Sequence, residues 1–275
     1  MITAPWAEVI GDPVAQSKSP LIHRRWLAML GMDGDYLKTR VAPDALASFL
    51  AARRQAPGWR GCSVTIPHKL AVIPLLDAID PAAAATGAVN CIWRDEDRLI
   101  GTNSDVDGVL AALAGWHGGR AVLIGAGGAA RAALAALRRL GAARVALIAR
   151  DEAAGAALLG RFGLAGSVHP FAGAREAIAG ADLVINASPL GMAGGAPMPP
   201  LVLDALGEAV DNALVFDMVY APVETTLLRR AGSMSLGAVT GLTMLVGQAR
   251  AAFRLLFGAA APADDDAALM LELGR

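Results

Sequence analysis

The 275-residue chain has little cysteine, few aromatic side chains and only 18% charged residues. Its two cysteines, Cys62 and Cys91, are too few for a disulfide framework, and they favour a reduced, cytoplasmic protein in which both fill strand positions. The 24 basic residues are offset by 25 acidic ones, so a nucleic-acid backbone is not an expected partner. No apolar run approaches the ~20 residues that span a bilayer, despite a mean hydropathy of +0.47, so no membrane partner is expected.

The pattern of apolar segments predicts an α/β protein. Strand-like and helix-like segments alternate along the chain. Apolar runs at residues 121–124, 181–186 and 213–217 are typical of parallel strands covered by helices on both faces. Residues 89–93 and 99–102 form a predicted hairpin across a polar turn.

Two helix starts are predicted from residues that favour that position. Ser19 is predicted to cap a helix whose first residue is Pro20. The acidic residues 264–266 are predicted to form the solvated start of a terminal helix, because carboxylates interact favourably with the helix dipole there.

A glycine-rich segment at residues 125–130, GAGGAA, lies between a predicted strand and a predicted helix, as in the dinucleotide-binding fingerprint. Gly125 permits the tight turn, and Gly127 lets the backbone approach a pyrophosphate at the helix start. A plain strand–helix turn in another α/β protein is the alternative. We predict a dinucleotide-binding domain at residues 107–239, after an α/β domain at residues 1–106 on which helices from residues 240–275 fold back.

Six further short motifs follow one another along nearly the whole chain. They are residues 17–20 (SKSP), 61–69 (GCSVTIPHK), 87–90 (GAVN), 103–108 (NSDVDG), 217–220 (DMVY) and 241–248 (GLTMLVGQ). The set resembles the shikimate dehydrogenase family, which includes the quinate dehydrogenases. The resemblance implies an N-terminal α/β substrate domain and a Rossmann domain with a cleft between them. It also implies an oxidoreductase that exchanges hydride between a substrate and a nicotinamide cofactor.

The resemblance assigns roles to individual residues of this chain. Lys69 and Asp105 would be catalytic and would flank the carbon that exchanges hydride. The residues that would bind the substrate are Ser17, Ser19, Thr65, Asn90, Asp105, Tyr220 and Gln248. The residues that would bind the cofactor are Gly125, Ala126, Gly127, Gly128, Ala129, Arg150, Asp151, Met218 and Gly241.

The chemistry of Lys69 and Asp105 supports the same conclusion. Each follows a predicted strand, where catalytic residues of α/β proteins collect. A lysine and an aspartate at one hydroxyl can manage the proton released as hydride leaves its carbon. Either residue alone is more typical of a surface or salt-bridge position, but the joint pattern favours proton handling by Lys69 and orientation by Asp105.

No metal site is predicted, because the histidines lack the spacing of metal ligands. They are expected at surface or helix positions: His23, His68, His117 and His169.

The favoured substrate pair is shikimate and 3-dehydroshikimate, a step that the resemblance places in aromatic amino acid biosynthesis, on the chorismate pathway. Ser17 and Ser19 favour shikimate, because a bulkier or missing side chain there would better suit the extra hydroxyl of quinate. Ser63 stands where the family usually has Asn, and Ser104 where it has Thr, so quinate and aminoshikimate stay open as substrates. The alternative of another class is a dinucleotide-binding regulator without activity.

The cofactor is expected to be NAD rather than NADP. Family members that use NADP usually end the second Rossmann strand with Asn-Arg-Thr and add a second arginine that holds the 2′-phosphate. Here Arg150 is kept, and Asp151 lies where an acidic side chain binds the ribose hydroxyls of NAD and repels a 2′-phosphate. In the alternative, Asp151 turns outward to cap a helix and Arg150 binds the phosphate. Both a monomer and a homodimer are compatible with the sequence.

Overall fold

The computed structural model describes residues 4–275 and has two compact units. Unit 1 comprises the chain up to Asp105 together with Gln248–Arg275, and unit 2 comprises Val106–Gly247. The sequence-based boundaries were residues 106/107 and 239/240. The second boundary differs because the helix Gly241–Phe257 begins in unit 2, where Met244 packs in the core.

Unit 1 is built on a mixed six-stranded sheet. Its strands are β1 (Trp6–Gly11), β2 (Asp35–Arg40), β3 (Trp59–Val64), β4 (Ala78–Ile79), β5 (Cys91–Asp95) and β6 (Arg98–Thr102). They lie in the order β2-β1-β3-β5-β6-β4. β1 pairs in parallel with β2 and β3, whereas β5 is antiparallel to both β3 and β6. The predicted hairpin is therefore present as β5–β6.

Unit 2 is built on a parallel six-stranded sheet. Its strands are β7 (Arg120–Ile124), β8 (Arg144–Ile148), β9 (Gly166–His169), β10 (Leu183–Asn186), β11 (Leu214–Asp217) and β12 (Gly237–Val239). They lie in the order β12-β11-β10-β7-β8-β9, which reverses direction between β7 and β10. This is the doubly wound topology in which ligands bind at the carboxyl ends of the strands on either side of the reversal. The edge strands β9 and β12 were not predicted, because they are short and only partly buried.

Helices cover both sheets. They are α1 (Ser19–Met29), α2 (Leu46–Arg54), α3 (His68–Ala71), α4 (Pro81–Thr86), α5 (Asp105–Ala112), α6 (Gly128–Arg139), α7 (Glu152–Phe162), α8 (Ala174–Ile178), α9 (Pro200–Ala205), α10 (Thr226–Ser233), α11 (Gly241–Phe257) and α12 (Asp266–Leu273). Within residues 4–275, no helix combines the length and the apolar character that a bilayer crossing requires.

The alternation of side chains along each strand divides the apolar residues between two faces. On β7, Ala121 and Leu123 pack in one core cluster, and Val122 and Ile124 pack in the other. The two cysteines are fully buried on β3 and β5, and burial raises the pKa of both thiols, to about 12 for Cys91. They fill strand positions, as predicted.

Two of the three acidic residues at the start of α12 are ion-paired. Asp265 pairs with Arg25 on α1, which also reaches Glu272 at 2.6 Å. Asp266 pairs with Arg250 on α11. The predicted helix start is present and Asp264 is exposed, but Asp265 and Asp266 are ion-paired because α1 and α11 place arginines beside them.

His23 and His68 lie on helices, one of the two kinds of position expected, and both are buried there. The His23 ring stacks on Tyr36 at 4.0 Å between centroids and packs against Trp26 and Phe253. Burial among these rings lowers its pKa to about 3. Such a histidine stays neutral in the folded state while the unfolded chain takes up a proton below about pH 6.5, so it destabilises the fold in acid.

We expect His23→Phe to weaken this acid sensitivity. In the wild type, His23 contributes a loss of about 1.4 kcal/mol of unfolding free energy per pH unit as the pH falls from 6.5 towards 3. Thermal unfolding measured between pH 7 and 5 should show a smaller fall in Tm for His23→Phe than for the wild type. His117→Gln, at an exposed position, is the matched control and should keep the wild-type slope. Equal slopes for His23→Phe and the wild type would contradict the interpretation.

Candidate active site

The topology of unit 1 brings four chain segments to one edge of its sheet. β1 and β3 are parallel neighbours, so the chain leaves both strands at the same edge, into residues 12–19 and 65–69. β5 runs antiparallel to β3 and β6 antiparallel to β5, so residue 90 precedes β5 and residues 103–105 follow β6 at this edge. Six predicted site residues lie on these segments: Ser17, Ser19, Thr65, Lys69, Asn90 and Asp105.

Lys69 and Asp105 form an ion pair. Lys69 Nζ donates to Asp105 Oδ2 at 2.5 Å, and Asn90 Nδ2 donates to Asp105 Oδ1 at 2.7 Å. The Asp105 side chain is 5% exposed and the Lys69 side chain 23%, so the lysine alone keeps substantial access to solvent. Both carboxylate oxygens have a partner, which compensates the cost of burying their charge. The ammonium has three donors and uses one on Asp105, so it can bind another oxygen.

Asn90 is fixed by the segment that carries Asp105. Its Oδ1 accepts hydrogen bonds from the Ser104 backbone N–H at 2.7 Å and from the Ser104 hydroxyl at 3.2 Å. Asn90 therefore orients Asp105, and one N–H of its amide remains for a ligand. The hydroxyl of Ser104, which stands where the family usually has Thr, supports this arrangement.

Asn103 is a residue of this site that sequence reasoning missed. It is 1% exposed, and its Nδ2 donates to Thr86 Oγ1 at 3.1 Å and to Ala88 O at 2.9 Å. These bonds hold residues 103–105 against the 87–90 motif. Its position beside Ser104 and Asp105 was the available signal, but an asparagine that bonds only to protein atoms cannot be told from a ligand-binding one by sequence.

The two serines lie next to each other, although the capping prediction was wrong. Ser19 is the first residue of α1, and the cap position belongs to Lys18, whose side chain makes no capping bond. The Ser19 backbone N–H instead donates to Ser17 Oγ at 3.3 Å, because Ser17 lies two residues before it. The Ser17 and Ser19 hydroxyl oxygens are 3.2 Å apart, a separation that lets both contact one carboxylate.

Three other predicted substrate ligands have polar groups suited to a hydroxyl. Gln248 lies on α11 in unit 1, and its buried Oε1 accepts no hydrogen bond within residues 4–275. An unpaired buried acceptor costs about 1–3 kcal/mol, which a bound hydroxyl would relieve. Thr65 follows β3 and is half-buried, and its backbone N–H donates to Ile10 O at 2.9 Å. Tyr220 belongs to unit 2, and burial raises its pKa, so its hydroxyl stays protonated as a donor.

The glycine loop of unit 2 joins β7 to α6 and fits a dinucleotide. Gly125 has φ +106°, and a side chain there would come within 3.0 Å of Ser188 Cβ. In contrast, a Cβ at Gly127 or Gly128 would have open space around it. Gly127 also caps α6 without a side-chain bond, so the first N–H groups of this helix are directed at that space. Together with Ala126 and Ala129, these glycines leave room for a pyrophosphate at a helix start.

At the end of β8, Asp151 acts as a helix cap. Its Oδ1 accepts a hydrogen bond from the Ala154 backbone N–H at 2.9 Å, which makes it the N-cap of α7. Its neighbour Arg150 is exposed.

Another arginine, Arg131, lies in the first turn of α6. Burial and repulsion from Arg161 lower the pKa of Arg131, and a nearby anion would offset this effect.

Met218 and Gly241 meet at the carboxyl end of β11. A side chain at Gly241 would come within 2.5 Å of Met218 O, so glycine is required where α11 begins. Beneath this contact, the buried Asp217 accepts hydrogen bonds from Asn186 Nδ2 at 2.9 Å and from Thr225 Oγ1 at 2.7 Å. This network was not predicted, although Asn186 and Asp217 end two predicted strands.

A doubly wound unit with this glycine loop, in one chain with an α/β unit that carries a Lys–Asp pair, defines a nicotinamide-dependent oxidoreductase. The family model for the shikimate dehydrogenase substrate binding domain matches residues 9–92, and that for the shikimate 5′-dehydrogenase C-terminal domain matches residues 241–271. The shikimate dehydrogenase (NADP(+)) of Sphingopyxis alaskensis is 49% identical, covering 96% of this chain and 94% of the relative. The chain belongs to the shikimate dehydrogenase family, which confirms the family and fold class predicted from the sequence.

Solved structures of shikimate dehydrogenases have the same fold as this chain. Shikimate 5-dehydrogenase from Thermus thermophilus, in complex with NADP(H) and shikimate, superposes with a TM-score of 0.86 at 34% identity, covering 98% of this chain and 99% of that one. Shikimate 5-dehydrogenase from Listeria monocytogenes, in complex with shikimate and NAD, superposes with a TM-score of 0.87 at 27% identity, covering 97% and 96%. Members of this fold are therefore known with either nicotinamide cofactor.

We expect Gly127→Ala to weaken cofactor binding without weakening the fold. The added methyl group meets no protein atom within 4 Å, but it occupies space that the pyrophosphate would use. The Kd for the nicotinamide dinucleotide, measured by calorimetry, should rise at least about tenfold while Tm stays close to that of the wild type. Gly160→Ala, which also adds a methyl group in open space, is the matched control and should leave Kd unchanged. Unchanged Kd for Gly127→Ala would place the pyrophosphate elsewhere.

Proposed function

We propose that this chain interconverts shikimate and 3-dehydroshikimate and that its cofactor is NADP. The observation that carries the proposal is the Lys69–Asp105–Asn90 cluster, which lies at the sheet edge that also holds the two serines. In a member of the shikimate dehydrogenase family, this cluster has the groups needed to move a hydroxyl proton next to a bound carboxylate. The serines would bind that carboxylate, and Gln248, Thr65 and Tyr220 would bind ring hydroxyls.

In the reducing direction, Lys69 acts as the proton donor. A reduced nicotinamide dinucleotide held by the glycine loop of unit 2 would supply the hydride to the carbonyl carbon of 3-dehydroshikimate. As negative charge develops on the carbonyl oxygen, Lys69 Nζ donates a hydrogen bond and then a proton to it, which gives the hydroxyl of shikimate. The neutral amine takes up a proton from solvent, to which the lysine has access. In the oxidising direction the same proton returns to Lys69.

Asp105 orients Lys69 and holds the ammonium group of this lysine within the site. Its Oδ2 accepts from Lys69, and its Oδ1 is held by Asn90, so the carboxylate is fixed on both sides. This leaves the remaining donors of the ammonium directed away from Asp105. Asp105 also gives a substrate hydroxyl a negatively charged acceptor at the same place.

The preference for NADP is supported by the geometry at the end of β8. The expectation of NAD relied on an Asp151 carboxylate free to bind ribose, but this carboxylate caps α7. A carboxylate already bonded to a backbone N–H is a weaker ribose ligand, and the exposed Arg150 beside it offers a bidentate partner for a 2′-phosphate. The Sphingopyxis relative also carries NADP(+) in its name.

The deciding experiment is a set of initial rates with shikimate and quinate, each with NADP+ and NAD+. We expect the highest kcat/KM for shikimate with NADP+. Arg150→Gln should lower kcat/KM for NADP+ at least about tenfold and leave that for NAD+ nearly unchanged, because only NADP+ has the 2′-phosphate. A higher kcat/KM with quinate than with shikimate would contradict the proposed substrate, and a higher kcat/KM with NAD+ than with NADP+ would contradict the proposed cofactor. If neither shikimate nor quinate is turned over, the proposed function is wrong.

Lys69→Ala is expected to lower kcat by about 10²–10⁴-fold and to change KM less, since a positioned acid–base group contributes on that scale. Dinucleotide binding to unit 2, measured by calorimetry, should persist in this variant. Arg60→Ala, an exposed position on β3, is the matched control and should keep the wild-type kcat. Near-normal turnover by Lys69→Ala would show that another group handles the proton.

A further inference from the structure

The chain contains three lysines, Lys18, Lys38 and Lys69, against 21 arginines. Lys69 belongs to the catalytic cluster described above. The other two contact the serine loop, defined here as residues 12–19, which joins β1 to α1 and carries Ser17 and Ser19. All three lysines therefore lie around the same edge of the unit 1 sheet, and neither Lys18 nor Lys38 has an acidic partner among residues 4–275.

Lys38 and Lys18 both donate to backbone carbonyls. Lys38, at an exposed position on β2, donates from Nζ to Ala15 O in the middle of the loop at 2.8 Å. Lys18 lies in the loop between the two serines, and its Nζ donates to Leu273 O in α12. The loop is thus tied to β2 on one side and to the C-terminal helix on the other.

The end of α12 is a suitable acceptor for Lys18. The last carbonyls of a helix lack partners within the helix, and the dipole makes that end favourable for a cation. A lysine ammonium is a compact donor that suits a single carbonyl, whereas the planar fork of an arginine suits a carboxylate. The contact therefore satisfies an otherwise free helix carbonyl and fixes the Lys18 side chain.

α12 is itself firmly held, so it can serve as an anchor. Its Leu269 and Leu273 side chains are fully buried. Arg25 pairs with Asp265 before the helix and with Glu272 in its last turn. The hydrogen bond from Arg25 lowers the pKa of Asp265, so this ion pair persists to lower pH than an ordinary aspartate would allow. A change at Arg25 would loosen α12 without altering the serine loop directly.

We propose that Lys18 and Lys38 are positioning residues for the substrate carboxylate, and that Lys18 acts by anchoring the serine loop to the C-terminal helix α12. With Lys18 held by α12 and Ala15 held by β2, Ser17 and Ser19 keep their two hydroxyls side by side for the two carboxylate oxygens. The loop is already ordered before substrate binds, so binding does not lose the conformational entropy of ordering it. This inference rests on the proposed function, in which the serines bind the carboxylate of shikimate.

The test compares kcat, the KM for shikimate and the KM for NADP+ in the full chain and its variants. We expect Lys18→Met to raise the KM for shikimate about tenfold, Lys38→Met to raise it about twofold to threefold, and both to leave kcat and the KM for NADP+ within about twofold. Lys18→Arg should restore most of the affinity, because its guanidinium can still donate to Leu273 O. Arg25→Gln should raise the KM for shikimate in the same way as Lys18→Met, but less.

Arg24→Gln is the matched control, since Arg24 neighbours Arg25 on α1 but pairs with Asp35 on an exposed surface, and it should keep the wild-type KM. If Lys18→Met raises KM while Arg25→Gln and Lys38→Met do not, Lys18 binds the carboxylate by its own charge and the inference is overturned. The inference is also overturned if Lys18→Met keeps the wild-type KM. Absence of turnover by the wild type would instead contradict the proposed function, which separates the two failures.

Discussion

The buried carboxylate of Asp105 joins the parts of unit 1 that the proposed chemistry uses. It accepts one hydrogen bond from the segment after β3 and one from the residue before β5, while it is itself the first residue of α5. Removing one partner from such a buried ion pair costs about 3–5 kcal/mol, whereas the intact pair contributes little net stability. The ion pair therefore contributes to the specificity of the fold more than to its stability. Any conformation that separates these three segments leaves a buried charge without a partner and is disfavoured.

Much of the fold could be predicted from sequence, because parallel strands and helix starts have strong local signals. The apolar runs that became β7, β10 and β11 are buried on both faces, so each reads as a continuous hydrophobic segment. β9 and β12 lie at the sheet edges, where one side of the strand is solvated, and their composition resembles that of loops. Their position in the sheet is set by neighbouring strands rather than by their own residues.

The candidate site was less predictable, because hydrogen bonding between side chains distant in sequence decides what each polar residue does. Asn90 was expected to bind substrate, yet most of its groups bond to Asp105 and Ser104. Asp151 was expected to bind ribose, yet it caps the next helix. For Asp151, capping was the alternative that the sequence had already offered, and the structure favours it. For Asn90, the competing partners Asp105 and Ser104 were visible only once the chain was folded.

The placement of the two cysteines has a practical consequence. Both lie in unit 1, on opposite faces of its sheet, with Cys62 and Cys91 packed in different core clusters. Their thiols are fully buried and have raised pKa values, so neither reacts as a thiolate while unit 1 is folded. The sequence of unit 2 contains no cysteine. Alkylation by a thiol reagent therefore reports the transient opening of unit 1 alone, and mass spectrometry of the two labelled peptides would show whether its two faces open together or one at a time.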